Sequence, residues 1–114
     1  MQYALAATTL LFATTTLAAI HEVQVGPGLT YTPNSISDVA EGDWISVTFG
    51  AGHDIVQSTF AAPCQAMDGG IYSGPSPSQG DVFSWQVNST DPSWFYCSVG
   101  RHCQGGMALA INPT

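Results

Sequence analysis

The sequence predicts a single all-β domain, a Greek-key β-sandwich, and three observations point there. Apolar residues recur in short alternating or continuous runs, and Gly, Pro, Asn and Asp clusters separate those runs. No segment of the domain carries a sustained helical period, and many short strands with regular turn signals are the signature of a sandwich. The length, 114 residues, suits one domain and shows no internal repeat.

The elements follow in order. His21–Val25 is a first strand, ended by Gly26-Pro27-Gly28, and Leu29–Thr32 continues extended until Pro33-Asn34. Asp43–Phe49 alternates cleanly after a turn at Glu41-Gly42, with Ile45, Val47 and Phe49 on one face and Ser46 and Thr48 on the other. His53–Ser58 follows Gly50-Ala51-Gly52 and is read as another strand. Residues 59–81, rich in Pro, Gly and Ser, read as a long loop with room for one helical turn; such a loop needs a tether, and Cys64 lies in it. Val82–Val87, Trp94–Cys97 and Met107–Ile111 are the final strands.

Residues 1–18 read as a secretory signal peptide. Met1-Gln2-Tyr3 leads into the apolar run Ala4–Ala18, which ends in small residues and places cleavage after Ala18 or Ala19. The run is short for a membrane span and lacks flanking charge. The mature domain is then 19–114, and the chain stops at Asn112-Pro113-Thr114 with no hydrophobic anchor signal.

Net charge is −7, and Arg101 is the single Lys or Arg. Nucleic-acid binding is excluded, because neutralising phosphates needs clustered cations. Three histidines are too few for the several copper sites an oxygen-reducing oxidase requires, and no Ser/His/Asp spacing suggests hydrolysis. Asn88-Ser89-Thr90 fits the N-glycosylation pattern.

Three cysteines are an odd number for a secreted chain, so pairing two leaves one thiol exposed to oxidation unless something occupies it. Three pairings are open. Cys64–Cys103 is favoured because it spares Cys97; a Cys97–Cys103 bridge would close a small loop and consume that thiol. Cys97 heads a C-x4-H-x4-M run, Cys97…His102…Met107, and His53 lies upstream on another strand. Thiolate and thioether favour Cu(I) and imidazole suits either oxidation state, so the four together form the donor set of a blue-copper electron-transfer site. Phe95 shares the face of Cys97, and Leu109 and Ile111 share that of Met107, which turns both sulfurs inward.

These residues resemble the cupredoxins, and within them the phytocyanins and their small secreted fungal relatives. The resemblance runs from His21 to Pro113. Its most specific part is Trp94-Phe95-Tyr96-Cys97…His102-Cys103-Gln104-Gly105-Gly106-Met107, with His53-Asp54-Ile55…Pro63-Cys64 beside it. It implies one copper ion, with His53, Cys97 and His102 as a trigonal plane and Met107 long and axial, and a Cys64–Cys103 bridge. It further implies a monomeric single-electron carrier rather than an enzyme, secreted or cell-wall associated. The redox partner would be a protein or a small reductant or oxidant. A non-redox extracellular binding or copper-sequestering module on the same scaffold is the alternative function.

Two positions depart from the family pattern or add to it. Asp54 follows His53 where many blue-copper proteins have Asn; an ionised Asp accepts hydrogen bonds and cannot donate them, so tuning around the thiolate should differ. Arg101 puts the chain's only strong cation beside His102, a candidate for docking or for raising the potential, against the ordinary reading of a solvated Arg. Finally, a terminus at Ala19 would set a free amine, two amides and His21 in the order of a square-planar Cu(II) clamp, unless His21 is simply a first-strand residue.

Overall fold

The computed structural model describes residues 17–114, so most of the expected signal peptide, residues 1–16, lies outside the described residues. Eight strands form two four-stranded sheets. They are β1 (Ile20–Val25), β2 (Tyr31–Thr32), β3 (Ser35–Ile36), β4 (Trp44–Phe49), β5 (Val56–Ser58), β6 (Val82–Gln86), β7 (Ser93–Tyr96) and β8 (Ala108–Ile111). One sheet runs β2-β1-β4-β6 and the other β3-β8-β7-β5. The β1/β4 and β3/β8 pairs are parallel and the rest antiparallel. Among the described residues there is no helix, and none is long and apolar enough to cross a membrane.

The alternation in β4 is realised: Ile45, Val47 and Phe49 are buried, and they meet Val23 and Val25 of β1 and Phe95, Leu109 and Ile111 of the opposite sheet. Each inward residue lies two positions from the next, the period a sandwich strand imposes.

Two expectations about elements are corrected, and one short strand is added. The strand expected to open at His53 begins at Val56, because pairing with β7 starts at Val56↔Tyr96 and the side chain of Asp54 is held by the segment beyond β7. β3, two residues long, follows Pro33-Asn34 and is too short to show a period. The 59–81 loop holds no helical turn. It doubles back along β5 instead: Met67 N–H donates to the Gln57 carbonyl, Gln57 N–H to that of Ile71, and Ser73 N–H to that of Ile55.

Before β4, Asp43 is a buried carboxylate that collects three partners. Ala19 N–H donates to Oδ1 at 3.0 Å, Ala40 N–H to Oδ2 at 3.0 Å, and His21 Nε2 lies 2.9 Å from Oδ2. The His21 hydrogen bond first, then those from Ala40 and Ala19, pull the Asp43 pKa from 3.8 to about 2. A depressed carboxylate pKa stabilises the fold above the unfolded value and ceases to do so as pH falls through the folded one. Acid unfolding of the wild type should therefore accelerate between about pH 4 and pH 2, and Asp43→Asn should flatten that limb. Acid-titrated melting curves measure it.

Candidate metal centre

Cys97 follows β7 directly, and Met107 directly precedes β8. Cys97 N–H donates to the Met107 carbonyl at 3.3 Å, so the two are cross-strand neighbours at one end of the sandwich, and both are fully buried. The segment between them is a knot of hydrogen-bonded turns. His102 N–H donates to the Val99 carbonyl (3.0 Å), Gly105 N–H to that of Arg101 (3.0 Å), and Met107 N–H to that of His102 (3.0 Å). These bonds fix the backbone on both sides of His102.

His53 arrives from the segment before β5. Its Nδ1 lies 3.8 Å from Cys97 Sγ, His102 Nδ1 lies 3.5 Å from the same sulfur, and the two imidazoles have centroids 5.0 Å apart. One donor atom from each of the three falls within 4.8 Å of the others. The spacing passes a geometric test. With metal–nitrogen and metal–sulfur bonds of about 2.0 and 2.3 Å at about 120°, nitrogen and sulfur stand about 3.7 Å apart. The residues thus fit one type 1 copper ion, and the donor chemistry, thiolate and imidazoles with a buried thioether alongside, favours copper over harder ions.

The third cysteine question is settled by geometry. Cys64 and Cys103 form a disulfide with a Cα separation of 5.7 Å, and Cys97 is the free, buried thiol. Burial pushes the Cys97 thiol above its ordinary pKa, while hydrogen bonds from the backbone of Asp54 and Val99 pull the other way. Burial chiefly, and then the nearby His102, lower that of His53, which favours the neutral ring that a metal binds.

Around these sit residues of different legibility. Asp54 is buried and accepts from the backbone N–H of Ser98 at 2.7 Å and from the Ser98 hydroxyl; Tyr31 Oη donates to the Asp54 carbonyl at 2.7 Å. Acting as an acceptor, Asp54 ties the His53 segment to the residue after Cys97. Asp54→Ala would remove both acceptors from Ser98, whose exposed donors water can then meet, so the cost should be about 1 kcal/mol. Asp54→Asn keeps most of the tie, removes a negative charge that opposes Cys97 ionisation, and should raise the reduction potential of the copper-loaded protein. Denaturant melts and voltammetry separate the two effects.

Gly26 was not singled out by its sequence context. Its φ is +73°, and a Cβ there would stand 3.2 Å from His53 Cδ2 and Nε2. Gly26→Ala should cost about 1–2 kcal/mol in backbone strain. It should also displace the His53 ring, read as an altered copper spectrum. Arg101 is exposed in the turn, and Asn88 is exposed just past β6, so its sequon is accessible. His21 is a first-strand residue engaged with Asp43.

No protein-family profile matches the chain. It is 43% identical over 102 residues to a protein of Arthroderma benhamiae named "Probable GPI-anchored cupredoxin-1", an alignment covering 85% of this chain and 54% of the relative. The chain belongs to the cupredoxin family. This cupredoxin is also 34% identical over 98 residues to an "Extracellular serine-rich protein" of the same fungus, covering 80% of this chain and 38% of that protein. It therefore spans about half or less of the length of the curated relatives it matches. Its fold is that of a fern plastocyanin mutant (TM-score 0.61, 22% identity, 79% of this chain and 96% of the other). Spinach plantacyanin is similarly close in fold (TM-score 0.57, 22% identity, 84% and 100%).

Proposed function

We propose that this domain is a secreted or cell-surface type 1 copper protein that passes single electrons, in which His53, Cys97, His102 and Met107 would hold the ion. It is a carrier and not an enzyme. The observation that carries the reading is the convergence of two imidazoles on a thiol that is 0% exposed and left unpaired by the neighbouring disulfide. Copper held there supplies a one-electron couple between Cu(I) and Cu(II).

The chain's own residues do the rest. The turn hydrogen bonds around His102 and the Asp54–Ser98 tie hold the donors in place, which limits rearrangement when the charge of the site changes. His53, 7% exposed, and Cys97 exclude water, whereas half-buried His102 provides the edge towards a partner. A thioether rather than an oxygen ligand at Met107 favours a higher potential. The relatives' names, GPI-anchored and extracellular, support an extracellular or membrane-anchored setting. The sequence pattern is what supports residues 1–18 as a leader removed after Ala18 or Ala19 and Asn88 as a glycan site. The partner is a redox protein or a small reductant or oxidant.

Loading the disulfide-oxidised protein with Cu(II) and recording voltammetry on an electrode tests this. A reversible one-electron wave is expected; failure to take up copper, or an irreversible wave, overturns it.

A further inference from the structure

The head of β1 holds a second polar site, unconnected with the metal centre. Ala19 is held through both of its backbone polar groups: its N–H donates to Asp43 Oδ1 at 3.0 Å and its carbonyl accepts from Trp44 N–H at 2.9 Å. Asp43 cannot turn away. Its own N–H donates to the Ala40 carbonyl, its carbonyl accepts from Val87 N–H at 2.7 Å, and its second carboxylate oxygen is taken by Ala40 N–H and His21. Two residues upstream, Leu17 is 89% exposed, so the chain leaves the packed domain immediately before Ala19. Asp43 is thus a buried carboxylate with one oxygen devoted to the nitrogen of residue 19.

We propose that Asp43 is the receptor for the α-ammonium of Ala19, formed when the leader is cut after Ala18. The inference rests on leader removal as proposed above, and not on copper. Hydrolysis of the Ala18–Ala19 bond consumes one water and leaves a carboxylate on Ala18. The departing Ala19 amine takes up a proton, and its nitrogen need not move from its place on Oδ1. A neutral amide donor becomes a charged one, and charge-assisted hydrogen bonds are roughly twice as strong as neutral ones. Cutting one residue later has the opposite effect. It removes Ala19 altogether, leaving Oδ1 without that donor and Trp44 N–H without its acceptor. The two cleavage positions that the leader allows are therefore unequal: one completes the site and the other dismantles it. The same contacts disfavour a metal clamp at Ala19-Ile20-His21. Such a clamp needs the Ile20 and His21 amides, which lie in the β1/β4 ladder opposite Trp44 and Ile45, and the His21 ring, which is on Asp43.

The composition offers a clean probe. Arg101 is the only Lys or Arg in the sequence, so the α-amine is the sole primary amine of the processed domain. Metal-free chains beginning at Ala19 and at Ile20 would be acylated with an amine-reactive ester and followed by intact mass. A carboxylate partner favours the protonated amine, which does not react. The Ala19 amine should be acylated roughly threefold to tenfold more slowly than the Ile20 amine, and Asp43→Asn should remove the difference. Equal rates in the Ala19 chain with and without Asp43→Asn overturn the proposal. Should Asp43→Asn not fold, the Ala19 chain acetylated at its terminus replaces it, since it keeps the N–H and loses the charge. A lower melting temperature than the free-amine form supports the ion pair, and an equal one overturns it. N-terminal sequencing of the secreted protein adds a separate check: a terminus at Ala19 supports the assignment and one at Ile20 overturns it. None of these readouts involves copper, so failure of the electron-transfer reading leaves them intact.

Discussion

Cys97→Ser is expected to abolish the intense visible band of the Cu(II)-loaded protein while leaving the metal-free fold within about 1 kcal/mol of the wild type. The band arises from a thiolate bound to Cu(II), and Cys97 is the one free cysteine. A serine hydroxyl fills nearly the same volume, and the backbone groups of Asp54 and Val99 that bond the sulfur remain to meet it. The electronic consequence is therefore total and the structural one small. The wild type carries a pH signature that the variant should lack. Burial holds the Cys97 thiol above its ordinary pKa, and a metal binds the thiolate, so uptake releases a proton. Apparent affinity should rise by about tenfold per pH unit below the thiol pKa, and more steeply at acid pH, where a protonated His53 must also give up its proton to bind. Competition titrations with a chelator of known affinity measure the slope. A Cys97→Ser protein that stays blue would remove Cys97 from the ligand set.

How much of this was legible in the chain depends on distance along it. Cys97, His102 and Met107 fall within one short run, so their spacing alone proposed a site, and the alternation of Ile45, Val47 and Phe49 proposed a buried face that the sandwich confirms. The cysteine pairing was legible by chemistry and by family likeness, and the bridge is where both put it. What stayed hidden is long-range. Gly26 leaves room for the His53 ring across 27 positions, Ser98 reaches Asp54 across 44, and Ala19 meets Asp43 across 24. Gly, Ser and Ala are too common to announce such contacts. The parallel register of β1 against β4, Ile20↔Trp44 onwards, creates the Asp43 site, and no local pattern encodes a parallel register. His53 misled for the related reason that a strand-like run, His53–Ser58, begins with residues whose side chains serve the site and not the ladder.

Removing the disulfide should have the second large effect, and its two cysteines should behave differently together and apart. The Cys64–Cys103 bridge joins positions 39 apart, closing a loop that contains β6, β7 and the metal-site turn. Releasing a loop of that length restores unfolded-chain entropy worth about 4 kcal/mol. The metal-free Cys64→Ser/Cys103→Ser protein should then melt roughly 15–30 °C lower. The cost should fall on the site as well as on the fold, because Cys103 adjoins His102 and Cys64 anchors the loop whose Phe60 ring packs 5.2 Å from that of Trp94. The single variant Cys64→Ser is a different case. Cys64, Cys97 and Cys103 all line one cavity of about 80 Å³. The orphaned Cys103 thiol then shares the lining of that cavity with Cys97, and dioxygen, taking up the two electrons and two protons, should join the two sulfurs. The copper ligand is then consumed. Cys64→Ser should lose its blue band on standing in air and regain it after mild reduction and reloading, whereas the double variant keeps whatever band it has. Intact-mass measurement of free thiols before and after exposure distinguishes the two. A single variant that stays blue in air would mean that the turn around His102 holds Cys103 away from Cys97 even without the bridge.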